Sequence, residues 1–81
     1  MQPGVVEIDV HGMNKYQARV FIDSRLKRMD ASVYRVRIIH GYRSGTELRD
    51  MIRQEYGNNP KVKRISNSLN PGETELVLRE Y

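Results

Sequence analysis

Cysteine and long apolar runs are both missing from this sequence. With no cysteine among its 81 residues, the chain cannot form a disulfide framework, a thiolate zinc site or a cysteine nucleophile. No segment approaches the roughly 18 consecutive apolar residues of a membrane span, and the N-terminal MQPGVVEI lacks the basic and apolar regions of a signal peptide. We therefore expect a soluble, cytoplasmic protein with no membrane partner.

Aromatic residues are few, and positive charge is in moderate excess. The single phenylalanine falls in the predicted core and the five tyrosines form no base-stacking motif, so the sequence does not distinguish DNA from RNA. The 14 Lys and Arg residues against 10 Asp and Glu give a formal net charge of +4. This excess favours a polyanionic partner such as nucleic acid or an acidic membrane surface. A chain this short buries about 60% of its unfolded surface, so we assign residues 1–81 to one domain.

Four segments show the alternation of apolar and polar side chains that is typical of β-strands. They are residues 5–10, 34–40, 61–68 and 74–79. The first places Asp9 and His11 on the same face, because side chains two positions apart point the same way. The second ends at His40, and the last follows the turn signal Asn-Pro-Gly.

Two helices are predicted between the strands. Asn14 is a predicted N-cap with a glutamine at N3, and apolar residues then follow at helical spacing to about residue 28. Ser44 and Glu47 match the S-x-x-E capping box of a second helix. That helix is expected to stop at Gly57, where the sequence reads Gly-Asn-Asn-Pro.

The order β-α-β-α-β-β predicts an α/β (α+β) two-layer sandwich, with a four-stranded mixed sheet and both helices on one face. Right-handed crossovers of this length make the first three strands run in the same direction. The other face of the sheet is then open to solvent. Its predicted residues are Glu7, Asp9, Arg35, Arg37, Glu75 and Arg79.

Each of the two histidines ends a predicted strand and precedes a glycine. In open α/β sheets, ligands gather at the carboxyl ends of the strands, where helix N-termini carry partial positive charge. If the first two strands are neighbours, about 4.8 Å apart, then Asp9, His11 and His40 converge within reach of one phosphate or metal ion. Histidine can act as acid or base on a phosphodiester, and nearby cations can stabilise its charge. The candidate cations are Lys15, Arg43 and Arg49.

The same residues allow other interpretations. A divalent metal ion held by Asp9 with one or both histidines would lower the pKa of a bound water and lead to the same reaction. Each histidine can instead be a satisfied turn residue, and Asp9 can accept hydrogen bonds from the turn that follows it. Lys61 and Lys63 either follow a phosphate backbone or protect an edge strand from aggregation.

Three motifs, in this order, resemble the small MutS-related domain, or Smr domain. The first is IDVHG from Ile8, the second is IIHGYRSGTELR from Ile38, and the third is GETELVL from Gly72. The resemblance covers residues 7–79. The family loop commonly reads His-Gly-Lys-Gly-x-Gly, so Tyr42 and Arg43 replace a lysine and a glycine here.

The resemblance implies a fold similar to the C-terminal domain of translation initiation factor 3. It also implies a nucleic-acid-binding domain with endonuclease activity that nicks or cleaves DNA or RNA, and ribosome- or repair-associated partners. The alternatives are a non-enzymatic DNA- or RNA-binding module and a protein-interaction domain that uses the open face. The candidate catalytic residues are Asp9, His11 and His40. The candidate phosphate- or nucleic-acid-binding residues are Gly12, Lys15, Gly41, Tyr42, Arg43, Ser44, Gly45, Arg49, Lys61 and Lys63.

Overall fold

Strands and helices follow one another in the predicted order β-α-β-α-β-β in the computed structural model, which describes residues 4–43 and 45–80. The strands are β1 (Val5–Asp9), β2 (Arg35–Ile39), β3 (Arg64–Asn67) and β4 (Glu73–Val77). The helices are α1 (Lys15–Arg28) and α2 (Glu47–Gly57).

The four strands form one mixed sheet in the order β1-β2-β4-β3. β1 and β2 are parallel, whereas β4 is antiparallel to both of its neighbours, β2 and β3. β1, β2 and β3 therefore run in the same direction, as the crossover argument predicted. The carboxyl ends of β1 and β2 meet at one end of the sheet.

Helix α1 begins with the predicted capping box. The side-chain oxygen of Asn14 accepts the N–H of Gln17 at 2.8 Å, and the side chain of Gln17 accepts the N–H of Asn14 at 3.1 Å. Both bonds satisfy backbone donors that have no partner inside the helix. They fix the start of α1 directly after the first His-Gly corner.

The prediction that a Ser44–Glu47 capping box starts helix α2 is wrong. A cap at Ser44 would make Gly45 the first helical residue, but Gly45 has a φ of 102°, in the left-handed region. The helix begins instead at Glu47 with Thr46 as N-cap, and the Thr46 hydroxyl donates to Asp50 at 2.9 Å rather than capping the backbone. Ser44 itself lies outside the described residues. The predicted stop at Gly57 is confirmed.

The core lies between the sheet and the two helices, which pack on the same face. Buried core residues come from the sheet (Ile8, Val36, Ile38 and Leu76), from α1 (Ala18, Ile22 and Leu26), from α2 (Ile52 and Tyr56) and from the segments beside the strands (Val10 and Val62). Burial of each large aliphatic side chain contributes roughly 1.5–3 kcal/mol. The Tyr56 hydroxyl also donates to Asp23 of α1 at 2.7 Å. Burial and the Asp23 carboxylate raise the pKa of Tyr56, so this phenol stays protonated as a donor between the helices.

The opposite face of the sheet is polar, as predicted, but its charges are paired with one another. Glu7, Arg37 and Glu75 lie side by side across β1, β2 and β4. The Arg37 guanidinium is 3.1 Å from Glu7 and 3.3 Å from Glu75, and Arg35 is 2.8 Å from Glu75. Glu75 was predicted to face solvent, yet it is 9% exposed because these arginines flank it.

Strand β3 is shorter than the predicted 61–68. The backbone before it forms a turn, in which the side chain of Asn59 accepts the N–H of Lys61 at 2.8 Å and its carbonyl accepts the N–H of Val62 at 2.9 Å. These bonds compete with sheet pairing and delay the strand to Arg64. Neither α1 nor α2 is long and apolar enough to cross a membrane, and the described residues contain no other helix that is.

Candidate functional site

The two His-Gly corners meet at the carboxyl ends of β1 and β2. Asp9 lies opposite Ile39 in the parallel register, and the Val10 N–H donates to the Ile39 carbonyl at 2.9 Å. A Cβ placed on Gly41 would lie 3.6 Å from the Cβ of His11, so the second corner lies directly against the first histidine. The parallel pairing therefore brings the two corners together, but among the described residues the side chains of Asp9, His11 and His40 do not form a group of three that could hold a metal ion.

Glycine is required at both corners because the backbone turns there in the left-handed region. The φ angle is 83° at Gly12 and 75° at Gly41. An L-residue with a side chain is strained in this conformation, whereas glycine adopts it readily. The two glycines therefore let each strand end abruptly and place its histidine at the edge of the sheet.

Asp9 and His11 form a hydrogen-bonded pair at the first corner. Asp9 Oδ1 accepts the backbone N–H of His11 at 3.1 Å and also contacts His11 Nδ1. Both bonds favour the ionised carboxylate, so they hold the pKa of Asp9 below its usual range, the ring nitrogen having the larger effect. A carboxylate accepts the proton on Nδ1, which leaves Nε2 as the unprotonated nitrogen of the neutral ring. The side chain of His11 is 68% exposed and that of Asp9 is 51% exposed, so Nε2 of His11 is open to a ligand.

His40 has a different environment. It is 5% exposed, and both of its ring nitrogens have partners inside the protein. Nδ1 lies 2.8 Å from the Gly41 carbonyl, and Nε2 lies 2.9 Å from the Thr74 hydroxyl. Because a carbonyl can accept but cannot donate, Nδ1 carries the proton and Nε2 accepts from Thr74. The geometry therefore favours a positioning role for His40.

A shallow cavity of about 480 Å³ lies in front of the two corners. Its walls include His11, Gly41, Tyr42, Arg43 and Gly45. Tyr42 is 57% exposed, and Arg43 is exposed with no carboxylate at ion-pair distance among the residues that the structure describes. A guanidinium and an aromatic ring thus lie beside the Asp9–His11 pair.

The other predicted cations are distributed unevenly. Lys15 opens α1 and shares a groove with Glu47, which also lines the corner cavity. Arg49 is 3.3 Å from Asp50, so its charge is partly offset. The remaining two, Lys61 and Lys63, precede β3 at the opposite end of the sheet and are not brought to the corners.

Comparison with known proteins places the chain in a family. The family model for the Smr domain matches residues 8–73. The chain belongs to the Smr domain family. The crystal structure of the Smr domain of Thermus thermophilus MutS2 superposes on it with a TM-score of 0.79 and 25% sequence identity, covering 91% of this chain and 98% of that one. No curated protein matched the chain. Smr domains are known as nucleic-acid-binding and nuclease-like domains.

Two residues of this Smr domain support the second corner and were not singled out from the sequence. The carbonyl of Gly72 accepts the N–H groups of His40 and Gly41 at 2.9 and 3.0 Å, and Thr74 binds the His40 ring. A Cβ on Gly72 would lie 3.3 Å from Gly41 Cα, so a side chain here would need the second corner to shift by a few tenths of an ångström. Both residues belong to the GETELVL motif, which carried the resemblance but was given no role.

The alternative of a metal-dependent site called for Asp9 with one or both histidines as ligands. Among residues 4–43 and 45–80, no group of three His, Asp or Glu side chains could hold a metal ion. In this Smr domain Asp9 and His11 bond to each other, and His40 bonds to Gly41 and Thr74.

Proposed function

We propose that this Smr domain binds DNA or RNA at the paired His-Gly corners and cleaves or nicks a phosphodiester bond there. The Asp9–His11 pair carries this proposal, because it holds a histidine with one free nitrogen beside an open, partly basic cavity. The family resemblance adds the expected class of ligand.

His11 acts as the general base in this proposal. Its Nε2 takes the proton of the attacking oxygen, which belongs to water or, in RNA, to a 2′-hydroxyl. The attacking oxygen bonds to phosphorus, the bond to the leaving oxygen breaks, and the leaving oxygen takes up a proton from solvent water. Asp9 keeps the proton of His11 on Nδ1 and stabilises the charged ring that forms. Arg43 stabilises the negative charge on the non-bridging phosphate oxygens.

His40 is a positioning residue in this scheme. Its ring bonds to Thr74 and Gly41, and its backbone bonds to Gly72, so it joins the second corner to the β3–β4 turn. These bonds hold the start of the loop that presents Tyr42 and Arg43. Its contribution to cleavage is therefore expected through loop order and not through proton transfer.

A second candidate is a non-enzymatic nucleic-acid-binding module. It is favoured by the engagement of both His40 ring nitrogens, which leaves one histidine for acid–base chemistry. A protein-interaction role for the open face has less support, since Glu7, Arg37 and Glu75 are already paired with one another.

The test is a cleavage assay on labelled RNA and on supercoiled DNA, with and without a chelator. We expect His11→Ala to lower the cleavage rate about 10²- to 10⁴-fold, the usual effect of a general base, and Asp9→Asn to lower it as well. Glu55→Gln is the matched control, because it also neutralises an exposed carboxylate that has a side-chain partner. Glu55 lies 3.7 Å from Arg19 in the last turn of α2, away from the corner that precedes the start of that helix.

Three outcomes would contradict the cleavage scheme. Equal rates for the parent and His11→Ala would remove His11 from the chemistry. Loss of cleavage on adding chelator would replace the proposed route with a metal-dependent one. Salt-dependent binding by a folded parent protein that cuts neither substrate would leave the second candidate as the function.

A further inference from the structure

The excess positive charge of this domain is concentrated at the end of the sheet away from the His-Gly corners. Helix α1 carries Arg25, Lys27 and Arg28 in its last turn, far from its start at the first corner. Two lysines precede β3 and Arg79 follows β4. We call this group the basic end. It comprises Arg25, Lys27, Arg28, Lys61, Lys63 and Arg79.

Contacts in the fold bring these residues to one end. Lys61 Nζ donates to the carbonyl of Leu26, in the last turn of α1, at 3.0 Å. Lys61 and Arg79 line one groove with Leu26, and Arg25 and Arg28 line a groove beside it. The Lys63 N–H donates to the carbonyl of Val77, the last residue of β4, at 2.8 Å. Val77 lies opposite Arg35, the first residue of β2. The basic end is therefore one continuous region and not a set of scattered side chains.

The cations of the basic end outnumber the carboxylates beside them. Among the described residues, none of its six cations forms an ion pair. Two carboxylates nearby are Asp30, which accepts bonds from Ser32, and Glu80, which pairs with Arg64 and also attracts Lys63. The arginines of the open sheet face, by contrast, are paired with glutamates. Five of the six cations are exposed, and Arg25 is partly covered by the Phe21 ring. Exposed cations without ion pairs are the feature expected of a surface that meets a polyanion.

The positions of the exposed apolar side chains indicate whether that polyanion is a nucleic acid or a membrane surface. Surface binding to a membrane combines basic residues with apolar side chains that enter the lipid. The exposed large hydrophobic residues that the structure describes are Tyr16, Val20, Tyr42 and Leu69. One of them, Val20, shares a groove with Lys27 and Lys61, and the other three line none of the grooves that basic-end residues line. A single valine offers little apolar surface to a lipid bilayer. The region therefore suits a sugar–phosphate backbone.

We propose that the basic end is a second nucleic-acid-binding surface, which holds the backbone of the same molecule that reaches the His-Gly corners. This inference rests on the proposed function only for the identity of the ligand. Helix α1 has 14 residues and spans about 21 Å at about 1.5 Å per residue. A duplex has one phosphate per about 3.4 Å along each strand, so about six base pairs separate the two contacts.

Two double variants with the same change in net charge test the proposal. Arg28→Gln with Lys63→Gln removes two exposed charges from the basic end. Arg19→Gln with Arg53→Gln removes two exposed charges from the helical surface and is the matched control. Binding of a 20-base-pair duplex and of a 20-nucleotide RNA is measured by fluorescence anisotropy at several salt concentrations, after circular dichroism has shown that each variant is folded.

We expect the basic-end variant to flatten the slope of log K against log salt by about 1.8 on duplex, since each phosphate contact contributes about 0.9. The control should keep the parent slope. Equal slopes in the two variants would overturn the proposal. So would a basic-end variant that no longer binds phosphatidylserine vesicles but binds both nucleic acids as the parent protein does. The cleavage scheme can fail separately. If the expected slopes are found but the parent protein cuts neither substrate, the proposal for the basic end stands and the nuclease proposal is wrong.

Discussion

Replacement of Thr74 by valine removes one hydroxyl from the interior of the second corner and changes almost nothing else. Valine has nearly the shape of threonine, and Thr74 is fully buried in β4. The hydroxyl donates to Nε2 of His40 at 2.9 Å. The substitution therefore leaves a buried ring nitrogen without a donor.

The His40 ring has no way to recover this bond. If Nδ1 keeps its proton for the Gly41 carbonyl, Nε2 faces a methyl group with an unsatisfied lone pair. If the proton moves to Nε2, the lone pair of Nδ1 faces the carbonyl oxygen 2.8 Å away. An unsatisfied buried polar group costs about 1–3 kcal/mol. With a Tm change of about 4–8 °C per kcal/mol for a domain of this size, a loss of about 2 kcal/mol lowers the Tm by roughly 8–16 °C.

The assay is thermal and urea unfolding of Thr74→Val beside the matched control Thr46→Val. The hydroxyl of Thr46 donates to Asp50 at an exposed position, where water can replace it, so the control should unfold close to the parent protein. Nitrogen chemical shifts of the His40 ring supply a second measurement, because they report which nitrogen carries the proton. If Thr74→Val is no less stable than Thr46→Val, the argument that His40 is held through Thr74 is refuted.

Three further predictions follow from the same corners. Gly41→Ala should lower the free energy of unfolding in urea by about 1–2 kcal/mol, because the φ of Gly41 is 75°. Gly57 has no positive φ, so Gly57→Ala should not lower it in this way. The carboxyl of Asp9 should show a pKa below its ordinary value of 3.8 in an NMR titration. Its stabilising contribution is then complete above about pH 5 and is lost as the pH falls through the lower folded-state pKa. An ordinary pKa would contradict the bonds from His11. Tyr42→Ala should weaken nucleic-acid binding by the roughly 1–3 kcal/mol of one stacked base, while Tyr42→Phe should bind like the parent; equal loss in both variants would exclude stacking.

Much of the fold was predictable because local patterns and global packing agree in this chain. The alternation in β1 predicted that Asp9 and His11 share a side, and the bond between them follows from a spacing of two residues. The capping box of α1 was predictable for the same reason, since both of its bonds join residues three positions apart. The start of α2 was not, because a φ of 102° at Gly45 overrides the Ser44 motif.

The sequence by itself determined the order of the elements, the polar and apolar faces of the strands, and the Asp9–His11 pair. These depend on side-chain period and short-range bonds, which a chain carries wherever it folds. The tertiary structure decided what lies far apart in sequence. It paired His40 with Thr74, 34 residues away, and it separated Lys61 and Lys63 from the corners. The physical reason is the sheet order: β4 lies between β2 and β3, which brings Thr74 beside His40 and leaves the two lysines at the far end.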